Sequence, residues 1–192
     1  MSIRQFNASY LVADDRLLFR FNTQEDAEFR FWLTRRITLF ILSATSHLML
    51  KHLEQSHSPQ TAKAIVDFGK EATQVNKAEA AAVDGSEGLN LNQYQPGAQY
   101  PIGADPVLVM DVKCALEKQG DEDLLSMDLI LPGGANINLK LAGQTLQAMC
   151  MLLNQLREHA SWGEVPQVVN AAVAESNLQS DAAFKEKKPL IH

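Results

Sequence analysis

Apolar and polar residues alternate at the start of the chain with the period of two that is typical of half-buried β-strands. The alternating stretches cover residues 6–13, 16–21 and 29–34. The polar loop NTQED at 22–26 separates the second from the third and favours a hairpin turn. We therefore predict an antiparallel three-stranded meander. Its inward positions are Phe6, Ala8, Tyr10, Val12, Leu17, Phe19, Phe21, Phe29, Phe31 and Leu33.

The pattern changes to a helical period over residues 35–54, where apolar residues lie on two sides of the predicted helix. A helix of this kind is buried on both sides. A second helix is predicted over 59–82, because Pro59 suits a first helical turn. Residues 83–104 are rich in Gly, Asn, Gln and Pro and have no periodicity, which indicates a flexible linker.

The second half of the chain shows the order strand, strand, strand, helix again. Strands are predicted over 107–117, 125–131 and 137–141, and an amphipathic helix over 143–159. The inward positions of the two halves coincide at a spacing of 108 residues, as for Leu17 and Leu125. We predict an α+β fold with two β-β-β-α repeats, each an antiparallel meander followed by a helix. An extra long helix and a flexible linker lie between the repeats.

This interpretation divides the chain into five parts. Residues 163–192 are expected to hold a short helix and a weakly ordered, charged tail. The other parts are the first unit at 1–58, the connecting helix at 59–82, the linker at 83–104 and the second unit at 105–162.

Charge and composition exclude some function classes. The chain is 46% hydrophobic and 21% charged with a net charge of −6, which is typical of a soluble globular protein and argues against wrapping of duplex DNA. Residues 1–55 carry seven Lys/Arg and six Asp/Glu, a net of +1, so the acidic excess lies in the rest of the chain. We expect a cytoplasmic protein without a membrane segment, because no secretory signal precedes the first strand and the most apolar run, 37–50, is short and interrupted by polar residues.

No residue pattern indicates catalysis, a metal or a cofactor. Cys114 and Cys150 have no CxxC spacing, and they are expected to be reduced, buried side chains. The histidines at 47, 52 and 57 are five positions apart, so successive rings point in different directions on a helix and form no metal-binding pair. No glycine-rich phosphate-binding motif occurs. A non-enzymatic protein is therefore favoured, and an enzymatic site between the two repeats stays an open alternative.

The stretch FRFWLTRR at 29–36 provides the main candidate for partner binding. If its phenylalanines are in the core, Arg30 and Trp32 lie on the opposite face of the sheet, and Arg20 lies on the facing strand. A tryptophan among arginines is suited to an acidic protein surface or to a nucleic-acid base. Two alternatives stay open. The arginines can pair with Glu25, Asp26, Glu28 or acids elsewhere, or another layer of the protein can cover Trp32.

Arg35 and Arg36 fall in the first turn of the predicted helix, where the helix dipole disfavours cations. The free amide groups of that turn and two guanidinium groups would bind a phosphate, a carboxylate or an acidic segment. Neutralisation by the Asp14-Asp15 turn or by the acidic second half is the preferred alternative.

These observations predict a non-enzymatic interaction or accessory module with a protein partner or a second copy of itself, because exposed strand edges favour a homodimer. The partner-binding hypothesis names Arg20, Arg30, Trp32, Arg35 and Arg36. The alternative is a single-stranded nucleic-acid-binding protein that uses the same residues. The tandem plan of sheet and helix resembles in outline that of the Whirly and PUR families, which bind single strands. Those families have four strands per repeat and a basic binding face, and the net charge here weighs against this function.

Overall fold

The computed structural model describes residues 3–55, 57–67, 94–119, 122–141 and 143–166. Within these ranges the chain forms two β-sheets and three helices, which confirms the mixed α+β class. None of the helices in these ranges is long and apolar enough to cross a membrane.

The first three strands form the predicted antiparallel meander. They are β1 (Ile3–Leu11), β2 (Arg16–Thr23) and β3 (Glu28–Thr34). Their register pairs Phe19 with Phe31, and both rings are buried against the core. Val12 is predicted to be inward, but it is 75% exposed because β1 ends one residue earlier in a short turn.

Helix α1 (Arg35–Glu54) follows β3 directly. The side chain of Thr34 caps it by accepting a hydrogen bond from the Ile37 amide at 3.4 Å. The helix contacts β3 and also elements of the second half, and its buried residues lie between Ile37 and Thr45. Phe40, an apolar position of the predicted double-sided pattern, is 42% exposed, so burial on two sides is not complete along the helix. A second helix, α2, covers 59–67, and the remainder of the predicted helix to 82 lies outside the described residues.

The predicted single strand over 107–117 is two strands in two different sheets. Strand β4 (Val107–Leu108) pairs in parallel with β3 and makes the first sheet four-stranded. Strand β5 (Asp111–Gln119) belongs to the second sheet. The change occurs over two residues, since the Val109 amide donates to the Trp32 carbonyl at 3.0 Å and the Met110 amide donates to the Ile130 carbonyl at 2.8 Å. Periodicity does not detect this change because the alternation continues through it.

The second sheet contains β5, β6 (Glu122–Ile130) and β7 (Asn136–Leu141) in that order. The PGGA segment turns between β6 and β7, with Gly133 at a φ of 81° and Gly134 at 84°, values that suit glycine. Helix α3 (Gly143–His159) has the predicted bounds.

One apolar core serves both sheets. Helix α1 contacts β5 of the second sheet, α3 contacts β1 of the first, and the two helices contact each other. Each helix therefore joins the half of the chain that it does not belong to in sequence. The largest fully buried side chains are Phe21, Phe31, Leu17, Leu33, Ile37, Ile41, Leu125, Met127, Leu129, Leu139, Leu141 and Leu153.

Residues 94–104, which the sequence assigns to the flexible linker, lie against the first sheet. The Glu28 amide donates to the Gln99 carbonyl at 2.7 Å, and the Gln99 amide donates to the Asp26 carbonyl at 3.1 Å. These backbone bonds hold the segment in place, so the described part differs from the linker that its composition predicts. Residues 83–93 lie outside the described residues, as does the predicted tail from 167 onward.

Candidate interaction surface

The outer face of the first sheet, opposite the core, has a covered part and an open part. Residues 94–104, called the crossing segment below, run over the end of this face where β2 meets β3. Its first residues contact β1 and β2. The Gln95 amide donates to the Gln5 side chain at 3.2 Å, and the Gln95 carbonyl accepts a hydrogen bond from the Asn22 side chain at 2.7 Å. Arg20 and Arg30 lie under this segment, whereas Trp32 lies beyond it.

Each of the three side-chain nitrogens of Arg30 donates a hydrogen bond within the protein. Its Nε donates to Glu28 Oε1 at 2.7 Å, its Nη1 to the Ala104 carbonyl at 3.0 Å and its Nη2 to the Tyr100 hydroxyl at 3.2 Å. The guanidinium also lies over the Tyr100 ring, 4.7 Å from its centroid. The hydrogen bond that Arg30 donates to the Glu28 carboxylate is the main cause that raises the pKa of Arg30.

Glu28 anchors the crossing segment. Its side chain is completely buried, and its Oε2 accepts a hydrogen bond from the Gly97 amide at 2.7 Å while Oε1 binds Arg30. A buried carboxylate is tolerated only when it is paired and hydrogen-bonded in this way. The internal pairing of Arg30 with Glu28, one of the alternatives left open by the sequence, is therefore present.

Arg20 lies beside Arg30 in the sheet register and has a similar environment. Its Nη2 donates to Asn7 Oδ1 at 2.7 Å, and its guanidinium lies 4.9 Å from the centroid of the Tyr94 ring. Burial and the charge of the Glu28 carboxylate raise the pKa of Tyr94. Its hydroxyl group therefore stays neutral. Both arginines thus present their planar faces to tyrosines of the crossing segment.

Trp32 lies at the boundary of the covered part and is half-buried. The sheet register places Leu18 on one side of it and Leu108 on the other, and both are half-buried as well. The guanidinium of Arg16 lies over the indole, 5.9 Å from its centroid. We call these four residues the Trp32 surface. It combines an apolar row across three strands with a cation at its side.

Arg35 and Arg36 have separate surroundings at the start of α1. Arg36 Nη2 donates to the Met110 carbonyl at 2.6 Å, which joins the helix to the link between the two sheets. The Arg35 side chain lies near the β1–β2 turn, where its charge contributes to a lowered pKa of Asp15. The charge of Arg35 thus acts on the Asp14-Asp15 turn, the neutralising group that the sequence favours, whereas Arg36 bonds to a backbone carbonyl instead.

Asp15 is the centre of a second polar cluster. Its Oδ1 accepts hydrogen bonds from Trp162 Nε1 at 2.6 Å and from the Tyr10 hydroxyl at 2.9 Å. These two bonds lower the pKa of Asp15, and the bond from Trp162 has the larger effect. The charge of Arg35 lowers it further. Trp162 is 2% exposed and its ring meets Tyr10 edge-on, so the cluster holds the chain after α3 against the first sheet.

The five residues of the partner-binding hypothesis therefore do not form one continuous site. Arg20 and Arg30 lie under the crossing segment, and Trp32 lies on the open part. Arg35 and Arg36 are exposed at the start of α1, where Arg36 donates to the Met110 carbonyl and Arg35 lies near Asp15. The sequence does not identify Arg16, Leu18 and Leu108 as neighbours of Trp32 in a site. The strand pairing of Leu18 with Trp32 follows from the hairpin, but the position of Leu108 depends on a parallel pairing with a residue 76 positions away in the chain.

The outer face of the second sheet is polar and internally bonded. Asn138 Nδ2 donates to Ser126 Oγ at 2.9 Å and to Asp128 Oδ1 at 2.8 Å. Lys140 forms an ion pair with Glu117 at 2.9 Å. It therefore differs in chemistry from the Trp32 surface.

The cysteines and metal-ligand types form no reactive cluster in the described ranges. Burial raises the pKa of both Cys114 and Cys150 to about 11, which disfavours the reactive thiolate. Within the same ranges no group of three or more His, Cys, Asp or Glu side chains is arranged to hold a metal ion.

Comparisons with protein-family models, with curated proteins and with solved structures give no significant match for this chain.

Proposed function

We propose that this chain is a non-enzymatic protein-interaction module whose partner binds the Trp32 surface. The observation that carries the proposal is the row of Leu18, Trp32 and Leu108, which lies half-exposed on the part of the sheet face that the crossing segment leaves open. Tryptophan and arginine are the side chains most enriched at the energetic centres of protein interfaces.

The chemistry of the surface defines the kind of partner. Leu18 and Leu108 offer apolar contact on both sides of the indole, and Arg16 offers a guanidinium that is already positioned over it. A protein segment with an apolar side chain next to a carboxylate is complementary to both features.

Binding of single-stranded nucleic acid ranks second. That function needs cationic and aromatic side chains that are free to stack on bases. Tyr94 and Tyr100 already occupy planar faces of Arg20 and Arg30, so these two guanidinium groups are less available to stack on the bases of a strand. The net charge of −6 also opposes association with a polyanion.

We also infer that the two halves of the chain follow one β-β-β-α plan and that the protein self-associates in the cytoplasm. The order of three antiparallel strands and a helix in each half supports the common plan. The strand edges of both sheets support self-association.

Two substitutions in the Trp32 surface test the main proposal. We expect Trp32→Ala and Arg16→Glu each to reduce binding of a stoichiometric protein partner by tenfold or more in quantitative affinity purification. Lys113→Ala, at an exposed position of the second sheet, is the matched control and should bind as the unchanged chain does. Urea unfolding of each variant verifies that the fold is intact.

The outcomes separate the two functions. A partner that is lost with both variants and kept with the control supports the protein-interaction function. Salt-sensitive retention of the unchanged chain on single-stranded DNA or RNA, lost with Trp32→Ala, would favour the alternative. Equal recovery of every partner by all three variants contradicts the proposed site.

A further inference from the structure

The crossing segment is attached to the first sheet with little apolar burial. Gly97 is its one buried residue, and the other residues from 94 to 104 are half-buried or exposed. Ile102 packs against the core but is only half-buried. The attachment therefore relies mainly on hydrogen bonds and on the contacts of Tyr94 and Tyr100 with arginines. A segment with few buried apolar contacts opens locally at a smaller free energy than the core does.

Two polar atoms beneath the segment have no hydrogen-bond partner. Arg20 Nε and Asn22 Oδ1 are buried and form no hydrogen bond within the part of the chain that the structure describes. Both side chains contact the segment, since the Arg20 guanidinium faces the Tyr94 ring and Asn22 Nδ2 donates to the Gln95 carbonyl. A buried donor or acceptor without a partner costs free energy, which contact with water recovers when the cover is lifted. The unpaired atoms therefore favour opening of the segment.

The charge of Arg20 is poorly balanced under the segment. Arg20 and Arg30 are opposite each other in the register of β2 and β3, and like charges in that position repel. Glu28 neutralises Arg30, whereas Arg20 contacts the neutral Asn7 side chain and the Tyr94 ring. A carboxylate binds a guanidinium through charge-assisted hydrogen bonds, which are stronger than contact with a ring. An acidic side chain is therefore a better partner for Arg20 than the Tyr94 ring is.

We propose that the crossing segment is a removable cover, and that its opening presents Arg20 and Arg30 to the acidic protein segment that binds the Trp32 surface. The sheet register places the pair of Arg20 and Arg30 next to the pair of Leu18 and Trp32 on the same face. Opening thus extends the Trp32 surface by two cations along β2 and β3. This inference rests on the proposed function and adds a regulatory step to it.

Hydrogen exchange tests the opening without any ligand. The Glu28 amide donates to the Gln99 carbonyl and the Gln99 amide to the Asp26 carbonyl, so both amides are freed when the segment lifts. We expect them to exchange at least 100-fold faster than the Ile41 amide in the buried part of α1, after correction for intrinsic rates. Their exchange should also depend little on urea, because opening exposes little surface. Equal protection and equal urea dependence of all three amides would overturn the opening.

A disulfide lock tests what the opening does. Ala27 and Gln99 lie opposite each other in a parallel bridge, at a spacing that suits a disulfide. In Ala27→Cys with Gln99→Cys, oxidised glutathione takes up the two electrons and two protons of the thiols and links the segment to the sheet. The reduced form of the same protein is the matched control. Mass spectrometry of the digested protein verifies that positions 27 and 99 are linked.

A dye-labelled peptide of repeating Glu-Leu pairs is the probe, because it combines the carboxylate and the apolar side chain of the proposed partner. At low ionic strength we expect the oxidised form to bind this peptide at least fivefold more weakly than the reduced form. Arg20→Ala in the same variant should diminish the difference, since one of the uncovered cations is lost. Lys113→Ala, on the exposed face of the second sheet, should leave the difference unchanged.

The outcomes separate this inference from the proposed function. Equal affinity of the oxidised and reduced forms for the peptide contradicts the uncovering of Arg20 and Arg30 and leaves binding at the Trp32 surface standing. The absence of binding by both forms contradicts the acidic partner of the proposed function and the ligand inferred here. In that case the exchange of the Glu28 amide still decides whether the segment opens. A difference that is seen with oligothymidylate but not with the peptide contradicts the protein partner and favours nucleic acid.

Discussion

The ring of Tyr100 lies over the guanidinium of Arg30 at 4.7 Å, although the two residues are 70 positions apart in the chain. The contact shows that the face of the first sheet is partly covered by a segment of the same protein. It therefore determines which arginines are left for a partner. Arg16 and Trp32 remain on the open part, and the covered arginines have a structural role.

Glu28 is expected to be essential for this covering. Glu28→Ala removes a buried carboxylate that binds both Arg30 and the Gly97 amide. The remaining unpaired guanidinium should lower the free energy of unfolding by about 3–5 kcal/mol, measured by urea denaturation. Glu117→Ala, which breaks the half-exposed pair with Lys140, should cause little change. Equal effects of the two substitutions would contradict the anchoring role of Glu28.

Gly97 allows the close approach of the crossing segment to β3. A Cβ at this position would lie 2.7 Å from the Asp26 carbonyl oxygen and 3.0 Å from the Glu28 amide nitrogen, both backbone atoms. Gly97→Ala should therefore lower the free energy of unfolding by about 1–3 kcal/mol. It should also increase hydrogen exchange of the Glu28 and Gln99 amides. The exposed neighbour gives the control Ala98→Ser, which should alter neither quantity.

Asp15 should make stability depend on pH in the acidic range. Its pKa in the folded protein is below the ordinary value of 3.8, mainly because Trp162 and Tyr10 donate hydrogen bonds to the carboxylate. Its stabilising contribution is therefore fully present above that ordinary value and is lost as the pH falls through the lowered pKa. The stability difference between the unchanged chain and Asp15→Asn should be constant near pH 7 and shrink below about pH 4. A difference that is independent of pH down to 2 would refute this role.

The two thiols should react slowly in the folded protein. Burial raises the pKa of Cys114 and Cys150 to about 11. The rate of alkylation should then rise about tenfold per pH unit from 7 to 9 without levelling off. In urea the alkylation rate of both thiols should level off above about pH 8.5, the ordinary pKa of a cysteine. If the alkylation rate of the folded protein also levels off just above the ordinary cysteine pKa, the burial of these side chains is contradicted.

Local pattern was sufficient to predict most secondary structure. The hairpin of β2 and β3 and the bounds of α3 follow from the spacing of apolar residues such as Phe29, Phe31 and Leu153. Val107 and Leu108 belong to the first sheet because they pair with β3, which is distant in the chain, and local alternation does not specify such a pairing. The alternation alone therefore predicts a single strand over 107–117.

The candidate site could be predicted less well, for a similar reason. The facing positions of Arg20 and Arg30 follow from the hairpin register. Their covering depends on Tyr94 and Tyr100, which lie in a stretch without periodicity, so no pattern indicated that this stretch contacts the sheet. The pairing of Arg30 with Glu28 was predictable as an alternative, because both residues are on the same face of one strand.

Site-specific photo-cross-linking tests the central claim most directly. A photoreactive amino acid at Leu18 lies in the Trp32 surface, whereas the same group at Lys113 lies on the polar face of the second sheet. After irradiation in intact cells, we expect one dominant protein adduct from position 18 that is lost in the Trp32→Ala background and is not formed from position 113. No adduct from position 18, or the same adducts from both positions, would contradict a specific protein partner at the Trp32 surface.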